Sequence, residues 1–212
     1  MKNFKYAIFD MDGTLLDSMQ MWRNLGRDYL IAQGKQPFDN LEQVIQPMSM
    51  EESAEYFQEQ YGIRGSVTEI IEGVNEMIES AYKKSVLLKE GVKEYLQGLN
   101  QKGVQMCIAT ATSKHLAIMA LKRLDILTYF TEIIDCGDSG VGKHQPDIYH
   151  LALKHLHGTI EEAAVFEDAW YAMETAKQAG FYTVGVYDAW EKVDKERIVA
   201  LCDDYVESFA VL

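Results

Sequence analysis

Two aspartates one residue apart, in Asp10-Met11-Asp12-Gly13-Thr14, close the first apolar run of the chain. At a strand end, side chains two positions apart lie on the same face, so both carboxylates would meet one ligand. Such a pair suits phosphoryl transfer. One carboxylate can attack phosphorus as a nucleophile, while the other trades a proton with the leaving oxygen. Gly13 lets the backbone turn sharply and approach a ligand closely. Three later stretches carry matching chemistry: Thr110-Ala111-Thr112-Ser113, Lys143 and Glu167-Asp168. Hydroxyls and backbone N–H groups near Thr110 can hold phosphoryl oxygens, and an ammonium can offset their charge. Crowding Asp10, Asp12 and Asp168 together is costly unless a cation joins them. An all-oxygen donor set suits Mg²⁺.

These residues can meet only if the fold brings four distant points of the chain together. Five short apolar segments read as buried strands: Tyr6–Phe9, Val104–Ala109, Glu132–Asp135, Ala163–Phe166 and Tyr182–Val186. Amphipathic stretches lie between the later ones, at Gly91–Gln101, Lys114–Leu124, Pro146–His155 and Tyr171–Ala179. Strands alternating with helices predict an α/β fold, a Rossmann-like doubly wound parallel sheet with helices on both faces. Ligands of such sheets bind at the carboxyl ends of the strands. Asp10, Thr110 and Glu167 fall there, and Lys143 follows the third strand. Thr112 or Ser113 is the expected cap of the helix that follows.

The first connection breaks this rhythm. Helical periodicity runs through Ser18–Ala32, Leu41–Ile45, Met50–Tyr61 and Val67–Lys83, punctuated by Gly34, Pro37, Pro47 and Gly62, with no strand candidate. The reading is an all-helical domain over residues 17–87, inserted into an α/β core made of 1–16 and 88–212.

Composition narrows the function classes. The 212 residues, 48% hydrophobic and 25% charged, are those of a soluble globular protein. A net charge of −13 leaves no basic stripe for nucleic acid and repels anionic membrane surfaces. Cys107, Cys136 and Cys202 are scattered and odd in number, which excludes a disulfide framework and points to the cytoplasm. No apolar run approaches the roughly 18 residues of a membrane span. The expected partner is a small phosphorylated metabolite, bound by a monomer or weak dimer.

The run D-M-D-G-T-L-L-D-S at 10–18 closely resembles the first motif of the haloacid dehalogenase superfamily, D-x-D-G-T. The junction at Thr110 resembles its second motif, Lys143 in G-K-H-Q-P-D its third, and F-E-D-A at 166–169 its fourth. The motifs are separated by 98, 33 and 25 positions, counted from Asp12 to Thr110, Lys143 and Asp168 in turn. The chain is closest to the β-phosphoglucomutase and phosphoglycolate phosphatase branch, whose helical cap lies between motifs one and two. One departure is His144, where the family usually has Pro.

The resemblance implies Asp10 as a nucleophile forming an aspartyl-phosphate, and Asp12 as proton donor to the leaving group and then base toward water. It implies Lys143 as the residue that offsets phosphoryl charge and orients Asp10. Thr110, Ala111 and Thr14 would contact the substrate. Mg²⁺ would be held by Asp10, the Asp12 carbonyl and Asp168, with Glu167 a further ligand or a supporting group. The implied activity is hydrolysis of a small phosphomonoester such as a sugar phosphate. A phosphomutase and a non-catalytic metabolite-binding protein are the alternatives.

A mutase must grip a second phosphate, which calls for Lys or Arg in the inserted domain. Gln36–Ile63 contains neither, although Arg23, Arg27 and Lys35 lie outside that stretch. Trp22 and Arg23 are read either as facing the site or as structural. Met48 and Met50 are candidates for a pocket wall. The histidines near 150 lack the spacing of a helical metal site.

Overall fold

The computed structural model describes residues 2–46, 48–190 and 195–212, so Pro47 lies outside the described residues. In chain order the strands and α-helices are β1 (Tyr6–Phe9), β2 (Leu16–Asp17), α1 (Met19–Ala32), α2 (Leu41–Ile45), α3 (Met50–Tyr61), α4 (Val67–Lys84) and β3 (Leu87–Leu88). There follow α5 (Val92–Gln101), β4 (Gln105–Thr110), α6 (Lys114–Arg123), β5 (Phe130–Asp135), α7 (Cys136–Ser139) and α8 (Asp147–His155). The last are β6 (Ala163–Glu167), α9 (Trp170–Gln178), β7 (Tyr182–Val186), α10 (Lys195–Leu201) and β8 (Asp204–Val206). The chain divides into two compact units: Gln20–Ser85, and the residues up to Met19 together with Val86–Leu212.

In the larger unit six strands form one parallel sheet in the order β5-β4-β1-β6-β7-β8. Ala7, Ile8 and Phe9 have no exposed surface, as expected of a central strand covered on both faces. On one face Ile8, Cys107 and Val165 pack with Ile148, Tyr149 and Ala152 of α8 and Ala176 of α9. On the other, Phe9 stacks on Phe166 at 4.4 Å, and Tyr95 of α5 meets the Phe166 edge at 6.1 Å. The alternation of Ile8 and Phe9 thus supplies both layers from one strand.

Two expectations about strands are corrected. β8 was not foreseen, because the three residues Asp-Tyr-Val are too few to show a pattern. The first connection also holds strands: Leu16 pairs with Leu88 and Asp17 with Leu87 in an antiparallel ribbon. Two residues a side carry no readable periodicity.

The start of α6 also differs from expectation. Ser113 is its N-cap residue but makes no side-chain cap bond, and Thr112 turns elsewhere. The Lys114 N–H is instead accepted by Asp135 Oδ2 at 2.7 Å, because β4 and β5 are neighbours with Thr110 opposite Asp135. Asp135 Oδ1 also accepts from the Asp138 N–H at 2.9 Å, capping α7. Burial raises the Asp135 carboxyl, but the amide donors of Lys114, Asp138 and Gly137 outweigh it and leave the group below its usual range. Asp135→Ala is expected to cost about 1–2 kcal/mol, measured by urea unfolding at pH 7. A lowered folded value means the ionic part is present above the unfolded carboxylate value near about 3.9 and lost as pH falls through the folded one. The gap between wild type and Asp135→Asn should therefore close below about pH 4. A gap that stays constant with pH would contradict this role.

The helical unit is built from local signals. Ser49 and Ser66 each form a capping box, with Glu52 and Glu69 respectively, and Gly62 ends α3 at φ 60°. Its core gathers Tyr29, Leu30, Phe57, Ile70, Val74 and Tyr82. The Trp22 indole donates to the Tyr82 hydroxyl at 3.1 Å, and Arg23 pairs with Glu42 at 2.9 Å.

Candidate active site

The register of the sheet sets the site. β1 lies between β4 and β6, with Phe9 opposite both Ile108 and Phe166. The next residue along each strand is therefore part of one carboxyl edge: Asp10, whose N–H donates to the Phe166 carbonyl at 2.9 Å, then Glu167 and Asp168. Oxygens of Asp10, Glu167 and Asp168 all lie within 4.8 Å of one another. All three residues are buried, at 6%, 1% and 3% exposed. Lys143 reaches in from the loop between α7 and α8. Its ammonium donates to Asp10 Oδ1 and, at 2.8 Å, to Glu167 Oε1. The His144 ring stacks on Tyr171 of α9 at 4.5 Å, which ties down the Lys143 loop where the family pattern has Pro.

Asp12 is held apart from that cluster. The Ser18 hydroxyl donates to its Oδ1 at 2.6 Å and the Thr112 hydroxyl to its Oδ2 at 2.7 Å. A hydroxyl can donate to a carboxylate or accept from a carboxylic acid, so the pair serves either protonation state. Thr110 is fully buried, its Oγ1 accepting the Thr112 N–H at 3.0 Å, while Ala111 is exposed. Thr14 is also fully buried and donates to Asp168 Oδ1 at 2.9 Å. The structure thus gives the Thr14 hydroxyl to a carboxylate, where the sequence reading gave it to the substrate.

Three groups escaped the sequence reading: Ser18, Thr112 as a partner of Asp12, and Tyr149, which donates to Glu167 Oε1 at 2.8 Å. Ser18 closes the D-M-D-G-T-L-L-D-S run at 10–18, so its distance from Asp12 was a usable signal. Tyr149 had none, since an amphipathic helix does not announce which of its aromatics meets a carboxylate.

Residues 7–186 match the model of the haloacid dehalogenase-like hydrolases. The chain belongs to that family. A phosphorylated carbohydrates phosphatase of Thermotoga maritima is 33% identical over 176 residues, covering 82% of this chain and 81% of its own. The beta-phosphoglucomutase of Bacillus subtilis is 28% identical over 209 residues, or 94% and 91% of the two chains. A solved Thermotoga maritima structure, named provisionally as a beta-phosphoglucomutase, superposes with a TM-score of 0.86 at 28% identity, covering 98% and 96%. This haloacid dehalogenase-like protein is therefore an enzyme, a hydrolase of phosphate esters. Among its described residues no helix is long and apolar enough to cross a membrane.

The electrostatics of this hydrolase point to a cation. Burial, reinforced by the charge of Asp10, pushes the Glu167 carboxyl up to about 7 despite Lys143. Burial and the charges of Asp10 and Glu167 raise Asp168 well above the usual carboxylate range. Burial opposes the charge on Lys143, yet Asp10 and Glu167 more than offset it and keep the ammonium protonated. Lys143 thus faces three carboxyl groups, two of them at contact distance, and the more distant charge of Lys89 favours the Asp168 carboxylate. Asp10 Oδ2 is buried and has no hydrogen-bond partner, and such an atom needs a strong reason to persist. A partnerless oxygen inside an all-carboxylate trio fits a divalent metal ion, which the family generally uses.

Proposed function

We propose that the protein is a Mg²⁺-dependent phosphatase of a small phosphomonoester, a sugar phosphate or a related metabolite, working through an aspartyl-phosphate on Asp10. The observation that carries this reading is the Asp10 carboxylate. One of its oxygens is bound by Lys143 and the other is without a partner, at the edge where Asp12 is held ready. Asp10, the Asp12 carbonyl and Asp168 would hold the metal, with Glu167 supporting through Lys143. When bound, Mg²⁺ neutralises the carboxylates and draws charge from a phosphoryl oxygen.

In the first step a carboxylate oxygen of Asp10 bonds to phosphorus, the bond from phosphorus to the ester oxygen breaks, and Asp12 donates a proton to the departing alcohol. In the second, Asp12 takes a proton from water, the hydroxyl attacks phosphorus, and Asp10 is released with inorganic phosphate. Lys143 orients the nucleophile and offsets charge on the transferring group. Thr110 and the backbone around Ala111 hold its oxygens. The helical unit Gln20–Ser85 serves as a cap that selects the organic part of the substrate and excludes water.

Relatives include both phosphatases and a mutase. Hydrolysis is favoured because Gln36–Ile63 has no Lys or Arg and Arg23 is engaged by Glu42. Turnover of a phosphometabolite panel should release phosphate with Mg²⁺, stop with excess chelator and return on adding Mg²⁺. Full activity in chelator would remove the metal from this reading. With β-glucose 1-phosphate, phosphorus NMR should show inorganic phosphate, if the ester is used. A rising glucose 6-phosphate signal without inorganic phosphate would establish the mutase instead.

A further inference from the structure

After β1 the chain turns tightly, with the Leu15 and Leu16 N–H groups both donating to the Met11 carbonyl, and enters the β2–β3 ribbon. Ser18 is the next residue, buried, with its hydroxyl on Asp12. The position of one Asp12 oxygen therefore depends on where the ribbon lies. A ribbon of two residues a side is not stable by itself, so something else must hold it.

Lys89 does so. Its N–H donates at 2.9 Å to the carbonyl of Leu15, the residue just before β2, which leads to Ser18. Its ammonium crosses to the end of β7, where it meets Asp188 Oδ2 at 2.9 Å and the Tyr187 carbonyl at 2.6 Å. Asp188 Oδ1 accepts the Trp190 N–H at 2.8 Å, and the Tyr187 N–H bonds to the Val206 carbonyl, so that end of the pair is fixed to the sheet. The side chains of Lys89 and Asp188 are 14% and 2% exposed. Among the described ion pairs only those of Lys143 are as deeply buried on both sides. Exposed pairs are loose and contribute little, whereas a buried pair whose ammonium is directed at two fixed acceptors is held in a narrow range of arrangements.

We propose that the Lys89–Asp188 ion pair is a latch that positions Asp12, by locking the ribbon that presents Ser18. Lys89 and Asp188 are positioning residues and touch no substrate. The inference rests on the reading of Asp12 as the acid, and the test separates the two.

Lys89→Met and the double variant Lys89→Met/Asp188→Asn are compared with wild type on 4-nitrophenyl phosphate and phenyl phosphate, with Mg²⁺. The double variant leaves no charge unpaired and keeps the acceptor for Trp190. Nitrophenolate departs without help, while phenolate is a stronger base and depends on a well-placed acid. In both variants kcat/KM, which reports the step that expels the leaving group, should fall about tenfold more on phenyl phosphate than on 4-nitrophenyl phosphate. A merely structural role would lower both alike, and equal losses overturn the latch. Asp12→Asn is the control: if it does not discriminate between the esters, the acid role falls, and the latch is judged by exchange. Hydrogen exchange of the Leu15, Leu16 and Lys89 amides should quicken about tenfold relative to β1 in both variants. Unchanged exchange overturns the latch whether or not either ester is turned over.

Discussion

Asp10→Asn is expected to fold normally and to lose turnover by about 10³-fold or more. The amide is nearly the same size, but it is a far weaker nucleophile, and the proposed first step needs a carboxylate to bond to phosphorus. Stability should not suffer. The wild-type cluster sets three carboxyl groups against the Lys143 ammonium, two of them at contact distance, and one of the two Asp10 oxygens has no partner. Removing one like charge relieves repulsion, and Lys143 keeps its 2.8 Å bond to Glu167. Melting in the absence of metal should thus be unchanged or higher. Initial rates with Mg²⁺ on the best ester, beside thermal melts without it, test both halves. A rate within about tenfold of wild type would remove Asp10 as the nucleophile.

Gly13→Ala is expected to damage the site more than any other single methyl group. Gly13 has φ +82°, and a Cβ there would lie 2.1 Å from Asp168 Oδ2 and 2.7 Å from its Cγ. Ala in that conformation costs about 1 kcal/mol by itself. The contact adds a displacement of Asp168 away from Asp10 and from its bond to Thr14. Misplacing a carboxylate that is proposed to hold the metal by an ångström is enough to cost about 100-fold in kcat/KM. Gly103→Ala is the control, since its φ is +77° and nothing lies within 4 Å of the added methyl. Gly103→Ala should lose only the cost of its positive φ in urea melts, and Gly13→Ala more, because Asp168 must also shift. Only Gly13→Ala should lose activity, and equal activity in the two would show that the room beside Asp168 does not matter.

The chemistry was legible in the sequence because it is local. Asp10-Met11-Asp12-Gly13-Thr14 carries its own strand end, turn and acids within five residues, and an apolar run of four is enough to mark β1. Helix α3 began and ended where periodicity and punctuation said, since Ser49, Glu52 and Gly62 act within a turn of the helix they bound. The parallel sheet followed from strands alternating with helices, a pattern that only crossover connections satisfy.

What the sequence by itself could not reach were contacts made across the sheet. Asp135, twenty-one positions after Lys114, caps α6 because β4 and β5 lie side by side, and that displaced the local cap expected of Thr112 or Ser113. The freed Thr112 hydroxyl reached Asp12 across 100 positions. Thr14 went to Asp168 for the same reason, and Tyr149 to Glu167. A hydroxyl or carboxylate has several partners open to it in sequence, and propensity ranks only the near ones. Which it takes is decided by the strand order and by the requirement that a buried polar group be satisfied, and both are properties of the packed sheet.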